Sequence, residues 1–193
     1  MHSAQTGALR GTAALAGTRI RYVKPHGALG LLACDNAGLA DAIAKAVAAV
    51  SKQLAVLAIS GTELQAAASR AGLQVFSEIF ADPPICQPGR LVPRSQRGAM
   101  IDDVEATARR LLVFLESGRM PTLSGTNIAL HAICVHGDST GAVQMARVIR
   151  ERLTAAGIGI KPFLELPGTD ARHTRTQNKQ KSATLVLANG SSL

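Results

Sequence analysis

With 193 residues, 47% of them hydrophobic, the chain can build one domain with a substantial core, which excludes disorder throughout. Aromatic residues make up only 3%, so Ala, Leu, Val and Ile must fill that core, and single-stranded nucleic-acid binding on aromatic platforms is disfavoured. The formal net charge of +8 is spread without a long Lys/Arg block, as on a solvated surface rather than a nucleic-acid or membrane contact.

In chain order, residues 1–17 show no basic flank leading into a long apolar stretch, so neither a secretory signal nor a membrane span is expected. Residues 20–24 predict a strand, and the glycine at 27 opens a helix-like stretch. An Ala-rich helix follows over Asn36–Val50, with Asn36 as its N-cap. Leu54–Ile59 predicts a second strand, and Ser60-Gly61-Thr62 leads into a helix ending at Arg70, with Gly72 as its stop. Leu73–Phe80 predicts a third strand.

The segment Asp82–Gly98 contains four prolines and is expected to hold no regular element. Asp102 or Asp103 should cap a helix running to about Ser117. Ile128–Val135 predicts a fourth strand, and Ser139 or Thr140 should start a helix ending near Gly157. Alternating strands and helices imply a parallel sheet or barrel covered by helices. Four strands cannot close a barrel, so the sheet is either open or part of a larger fold. The expected organisation is a single domain over residues 1–163, followed by a polar, mobile tail over 164–193 with one short apolar run, Ala183–Ala188.

Cys34, Cys86 and Cys134 are odd in number and widely spaced, as for free thiols in a reducing cytoplasm. Cys134 lies in an apolar run and reads as a small buried hydrophobe rather than a nucleophile.

Two histidine clusters sit where a strand-like run meets a glycine, the place where loops at strand carboxyl ends converge in α/β folds. In the first, Lys24 and His26 bracket Pro25, and Gly27 permits a tight turn or a close ligand approach. An imidazole there can exchange protons near neutral pH, and an ammonium can hold phosphate or oxyanion charge. The alternative is a strand-end His bonded to a carbonyl with Lys in solvent. In the second, His136-Gly137-Asp138, a carboxylate beside an imidazole suits a general base, although Asp138 equally suits a helix N-cap.

Glu78 and Asp82 could position water or hold Mg²⁺ with nucleotide phosphates, or simply close a strand and open a turn. Arg94 and Ser95, in a loop stiffened by Pro93, could clamp a carboxylate or phosphate, or stand exposed. No Walker A or G-x-G-x-x-G sequence occurs, and the histidines lack H-x-x-x-H spacing, so a closed zinc site is not supported and metal binding stays open.

Taken together, VKPHGAL at 23–29, EIFAD at 78–82, LVPRSQ at 91–96 with Gly98-Ala99, and CVHGD at 134–138 resemble the LamB/YcsF family in motif, order and separation, over roughly residues 8–160. The resemblance implies a partial β/α barrel of the glycoside hydrolase/deacetylase type, lacking its N-terminal strands. It also implies ATP-dependent opening of 5-oxoproline to L-glutamate, with Mg²⁺ alongside ATP and with B and C partner subunits of 5-oxoprolinase. Lys24, His26, His136 and Asp138 would be catalytic, and Gly27, Glu78, Asp82, Arg94 and Ser95 would bind substrate or phosphate. Gly30 stands where the family usually has Tyr, and Pro83 where it has a basic residue. The alternatives are a metal-dependent deacetylase-like hydrolase acting on carbohydrate, and an inactive remnant that keeps only a partner-binding surface.

Overall fold

Short apolar runs punctuated by glycine and by capping side chains fold into strands and helices that alternate along the chain. The computed structural model describes residues 2–81, 85–87, 90–91, 103–117, 130–137, 141–165 and 182–188. Contacts gather the chain into two units, and it passes from the first to the second between Ser77 and Glu78.

The first unit holds α1 (His2–Leu15), β1 (Tyr22–Val23), α2 (Gly27–Asp35), α3 (Ala37–Val50), β2 (Ala55–Ile59), α4 (Glu63–Arg70) and the start of β3 (Val75–Phe80), with strand order β1-β2-β3. β1 pairs parallel with β2, Tyr22 opposite Ala55 and Val23 opposite Val56. Val56, Ala58 and Val75 pack with Ile43, Val47, Leu64 and Ala68 of the helices. All five residues of β2 are buried, as in a strand covered on both faces.

Asn36 caps α3 as expected, its side-chain oxygen accepting from the Leu39 N–H at 2.9 Å. The residue is exposed, so Asn36→Ala is expected to cost only the cap, about 1 kcal/mol, measured as a shift in the urea unfolding midpoint. No shift would mean that α3 is held by packing alone. The α4 stop also follows expectation. Gly72 adopts φ +73, and the N–H groups of Gly72 and Leu73 return to the Ser69 and Ala68 carbonyls.

The second unit holds the end of β3, β4 (Ile85–Gln87), β5 (Arg90–Leu91), α5 (Val104–Ser117), β6 (Ala132–His136), α6 (Ala142–Ala155), β7 (Gly159–Ile160), a 3₁₀ turn (Phe163–Glu165) and β8 (Ser182–Ala188). Its larger sheet has the order β3-β6-β8-β7 with these pairs parallel, and β4 and β5 form a separate two-stranded sheet. Ile79, Ile133 and Val135 pack on Leu111 and Phe114 of α5 and on Ile149 and Leu153 of α6. The parallel β/α class expected from the sequence is the class observed. Among the described residues no helix is long and apolar enough to cross a membrane.

Several expectations need correction. The proline-rich segment contains an antiparallel ladder, with Ile85 opposite Leu91 and Gln87 opposite Arg90. Proline removes only its own N–H, and the residues between prolines remain free to pair. The apolar run in the tail forms β8, paired with β6 from Ala132–Thr184 to His136–Ala188. The helix expected from Ser139 or Thr140 begins at Ala142, and its N-cap is Gly141 at φ 89 rather than Asp138, Ser139 or Thr140. The fourth expected strand starts at Ala132 rather than Ile128 and takes in His136. For the helix α5, Asp103 is the cap, its Oδ1 accepting from Glu105 and Ala106 at 2.9 and 3.0 Å.

Candidate active site

Parallel strands bring their carboxyl ends to one edge of a sheet, and Lys24, His26 and His136 lie at such ends in their units. In the first unit, Lys24 directly follows β1 and is half-buried, Pro25 is buried and His26 is exposed. His26 is the N-cap residue of α2 in extended conformation, and its imidazole makes no capping bond. Gly27 opens the helix at φ 62, where a side chain would be strained although nothing fills the space a Cβ would take.

Gly30 is constrained differently. A Cβ there would lie 2.6 Å from the Pro25 carbonyl oxygen, so the turn carrying Lys24 and His26 closes directly onto this glycine. Ala in place of Gly inside a helix ordinarily stabilises by about 0.5–1 kcal/mol. At Gly30 the sign should invert: Gly30→Ala is expected to destabilise by about 1–3 kcal/mol, because backbone rather than a flexible side chain must move. A raised unfolding midpoint would contradict this packing.

At the end of β2, Thr62 Oγ1 donates to the Ile59 carbonyl at 2.7 Å and the Gly61 N–H donates to Gln65 Oε1 at 2.7 Å. Gln65 Nε2 in turn donates to Ser77 Oγ at 3.1 Å, tying the turn after β2 to β3.

In the second unit the alternation of strand side chains divides the sheet. Ile79, Ile133 and Val135 enter the helix-covered core, and Glu78, Phe80, Cys134 and His136 take the opposite face. Glu78 is only 1% exposed, and Cys134 is fully buried and in no disulfide, as expected of a small hydrophobe. A carboxylate buried in a strand carries a large desolvation cost, which marks Glu78 as more than surface. Phe80 pairs in register with Cys134, and the His136 ring stacks on Phe80 with centroids 5.0 Å apart and planes 10° apart. Stacking occupies a ring face and leaves the nitrogen-bearing edge of the imidazole for hydrogen bonding and proton exchange. Glu78 and His136 thus lie on one face of two adjacent strands but at different levels, Glu78 opposite Ala132 at the start of β6 and His136 at its end.

Sequence reasoning missed Arg110. From α5 its guanidinium donates to the Ala81 carbonyl at 2.7 Å and contacts the Phe80 carbonyl at 3.5 Å, while the Ala81 N–H donates to the Cys134 carbonyl at 2.9 Å. The signal that could have found it was spacing: Arg110 is three residues from Thr107 and four from Phe114, both buried, so it borders the apolar stripe of its helix. Asp82, Arg94, Ser95 and Asp138 lie outside the described residues. Among the described residues no three His, Cys, Asp or Glu side chains group as a metal site. A recess of about 190 Å³ between α3 and α4 is lined by Asp41, Lys45 and Arg70 on the helix side of the first unit. There Arg70 bonds Asp41 at 2.8 Å and holds its carboxyl below the usual range, an exposed pair worth little to stability.

The fold class of the chain is a parallel β/α sheet covered by helices, with Lys24 and His26 following one strand and His136 ending another. The LamB/YcsF family pattern matches residues 1–168, and the chain belongs to that family. It is 49% identical over 162 residues to the A subunit of 5-oxoprolinase from Azorhizobium caulinodans, covering 82% of this chain and 64% of that protein. The corresponding protein of Mycobacterium avium is 44% identical over 161 residues, with 82% and 64% covered. The crystal structure of the lactam utilization protein from Thermus thermophilus superposes with a TM-score of 0.66 at 38% identity, covering 78% of this chain and 61% of that one. The chain therefore spans a little under two thirds of the length of these relatives.

Proposed function

We propose that this chain acts as the A subunit of an ATP-dependent 5-oxoprolinase, opening 5-oxoproline to L-glutamate with B and C partner subunits in the cytoplasm. The names of its relatives support the reaction. The observation that carries the site is His136 at the end of β6, stacked on Phe80 and sharing a sheet face with buried Glu78.

A lactam is resonance-stabilised, and water attacks it slowly unless the carbonyl is activated. Transfer of the γ-phosphoryl group of ATP to the lactam oxygen releases ADP and makes the ring carbon electrophilic. Water then adds to that carbon and gives up a proton. The C–N bond breaks as the ring nitrogen takes a proton, and a second water releases phosphate from the resulting acyl phosphate. Lys24 and Arg94 stabilise phosphate and oxyanion charge, His26 or His136 moves the protons, and Asp138 orients an imidazole or water. Gly27, Glu78, Asp82 and Ser95 serve binding. The opening turn of α2 beside Lys24 adds backbone N–H groups and a dipole end that favour negative charge. Mg²⁺ would enter with ATP, whose phosphates are its ordinary ligands.

The reaction class is tested by incubating the chain and its partner subunits with 5-oxoproline, with and without ATP, and with an acetylated sugar and added divalent metal. Glutamate formed only with ATP is the expected result. Deacetylation that depends on metal and is indifferent to ATP would overturn the reading in favour of a carbohydrate hydrolase.

A further inference from the structure

We propose that Arg110 is a positioning residue for the sheet face that carries Glu78 and His136. The proposal concerns the site assigned above, and its kinetic arm rests on that reading.

The end of β3 is held from two sides. On one side β6 takes the Ala81 N–H through the Cys134 carbonyl at 2.9 Å. On the other, the Arg110 guanidinium takes the Ala81 carbonyl at 2.7 Å and reaches the Phe80 carbonyl at 3.5 Å. Phe80 is 7% exposed, and its ring is the platform on which His136 stacks at 5.0 Å. A charge-assisted bond to the Ala81 carbonyl, one residue past Phe80, with a longer contact to the Phe80 carbonyl itself, fixes the backbone from which that ring projects. The ring in turn fixes the plane of the imidazole. Arg110 touches no reacting atom in this scheme and acts through Phe80 on His136. A helix arginine serving only to anchor α5 would contribute to folding without setting the plane of the imidazole.

The test is the Cε1–H resonance of His136 in the chain labelled with ¹³C-histidine, assigned with His136→Gln. The ring current of Phe80 sets the position of this resonance. In Arg110→Met the resonance should move from its wild-type position, while Arg110→Lys, which keeps a charged donor, should hold it nearer that position. In the assembled enzyme Arg110→Met should lower kcat for 5-oxoproline by up to about 10²-fold with KM unchanged, and Arg110→Lys should recover part of the loss. A His136 resonance that stays in place in folded Arg110→Met overturns the proposal, as does a moved resonance with unchanged kcat. If Arg110→Met fails to fold, Arg110→Gln takes its place under the same criteria. If the wild-type assembly shows no turnover, the function proposed above fails, and the resonance still decides whether Arg110 positions His136.

Discussion

His136→Ala is expected to lower ATP-dependent 5-oxoproline turnover by about 10²–10⁴-fold, the range for removing a general acid or base. The residue ends β6 on the face opposite the core and is only half-buried, so its loss should leave the packing of Ile133 and Val135 intact. Secondary structure and unfolding midpoint should therefore stay close to wild type. His136→Phe separates the two contributions of the ring. It keeps an aromatic face for Phe80 but no nitrogen, and should be as inactive as the alanine variant. Turnover by His136→Phe at the wild-type rate would remove proton transfer from the role of this residue.

Glu78→Gln is expected to reduce turnover by about 10²-fold or more while changing stability by only about 1 kcal/mol. Glutamine keeps the volume and most of the hydrogen-bonding capacity of a side chain that is 1% exposed and partnered within the protein. Glu78→Ala is a different perturbation. It leaves a cavity and deprives the partner, and should cost about 3–5 kcal/mol. The contrast is measured by thermal unfolding of both variants beside their kcat values. If Glu78→Gln turns over normally, the carboxylate is a satisfied core group with no part in binding or chemistry.

Elements that depend on neighbours along the chain were legible from the sequence. Asn36 and Asp103 cap their helices because each places an oxygen within reach of N–H groups two or three residues on. Strand ends were legible where an apolar run met glycine or a polar turn, which located Lys24, His26, Gly27 and His136. Features that depend on distant partners were not. β8 is an ordinary apolar run, and only its pairing with β6, some fifty residues earlier, makes it a sheet strand. The stacking of His136 on Phe80 follows from a register between strands that no local pattern encodes. Arg110 reads as one of two consecutive helix arginines until α5 is docked against the end of β3. Gly30 likewise looks like a weak point in a helix until the Pro25 carbonyl is placed against it.

The chain matches 64% of the length of its Azorhizobium relative, so the proposed function stands or falls on whether this length works as an A subunit. That is decided by release of glutamate and ADP from 5-oxoproline and ATP by the purified chain, with and without the partner subunits, beside a full-length relative. Coupled formation of both products, only when the partners are present, is the expected result. No product from this chain with its partners, while the full-length relative turns over under the same conditions, would contradict it.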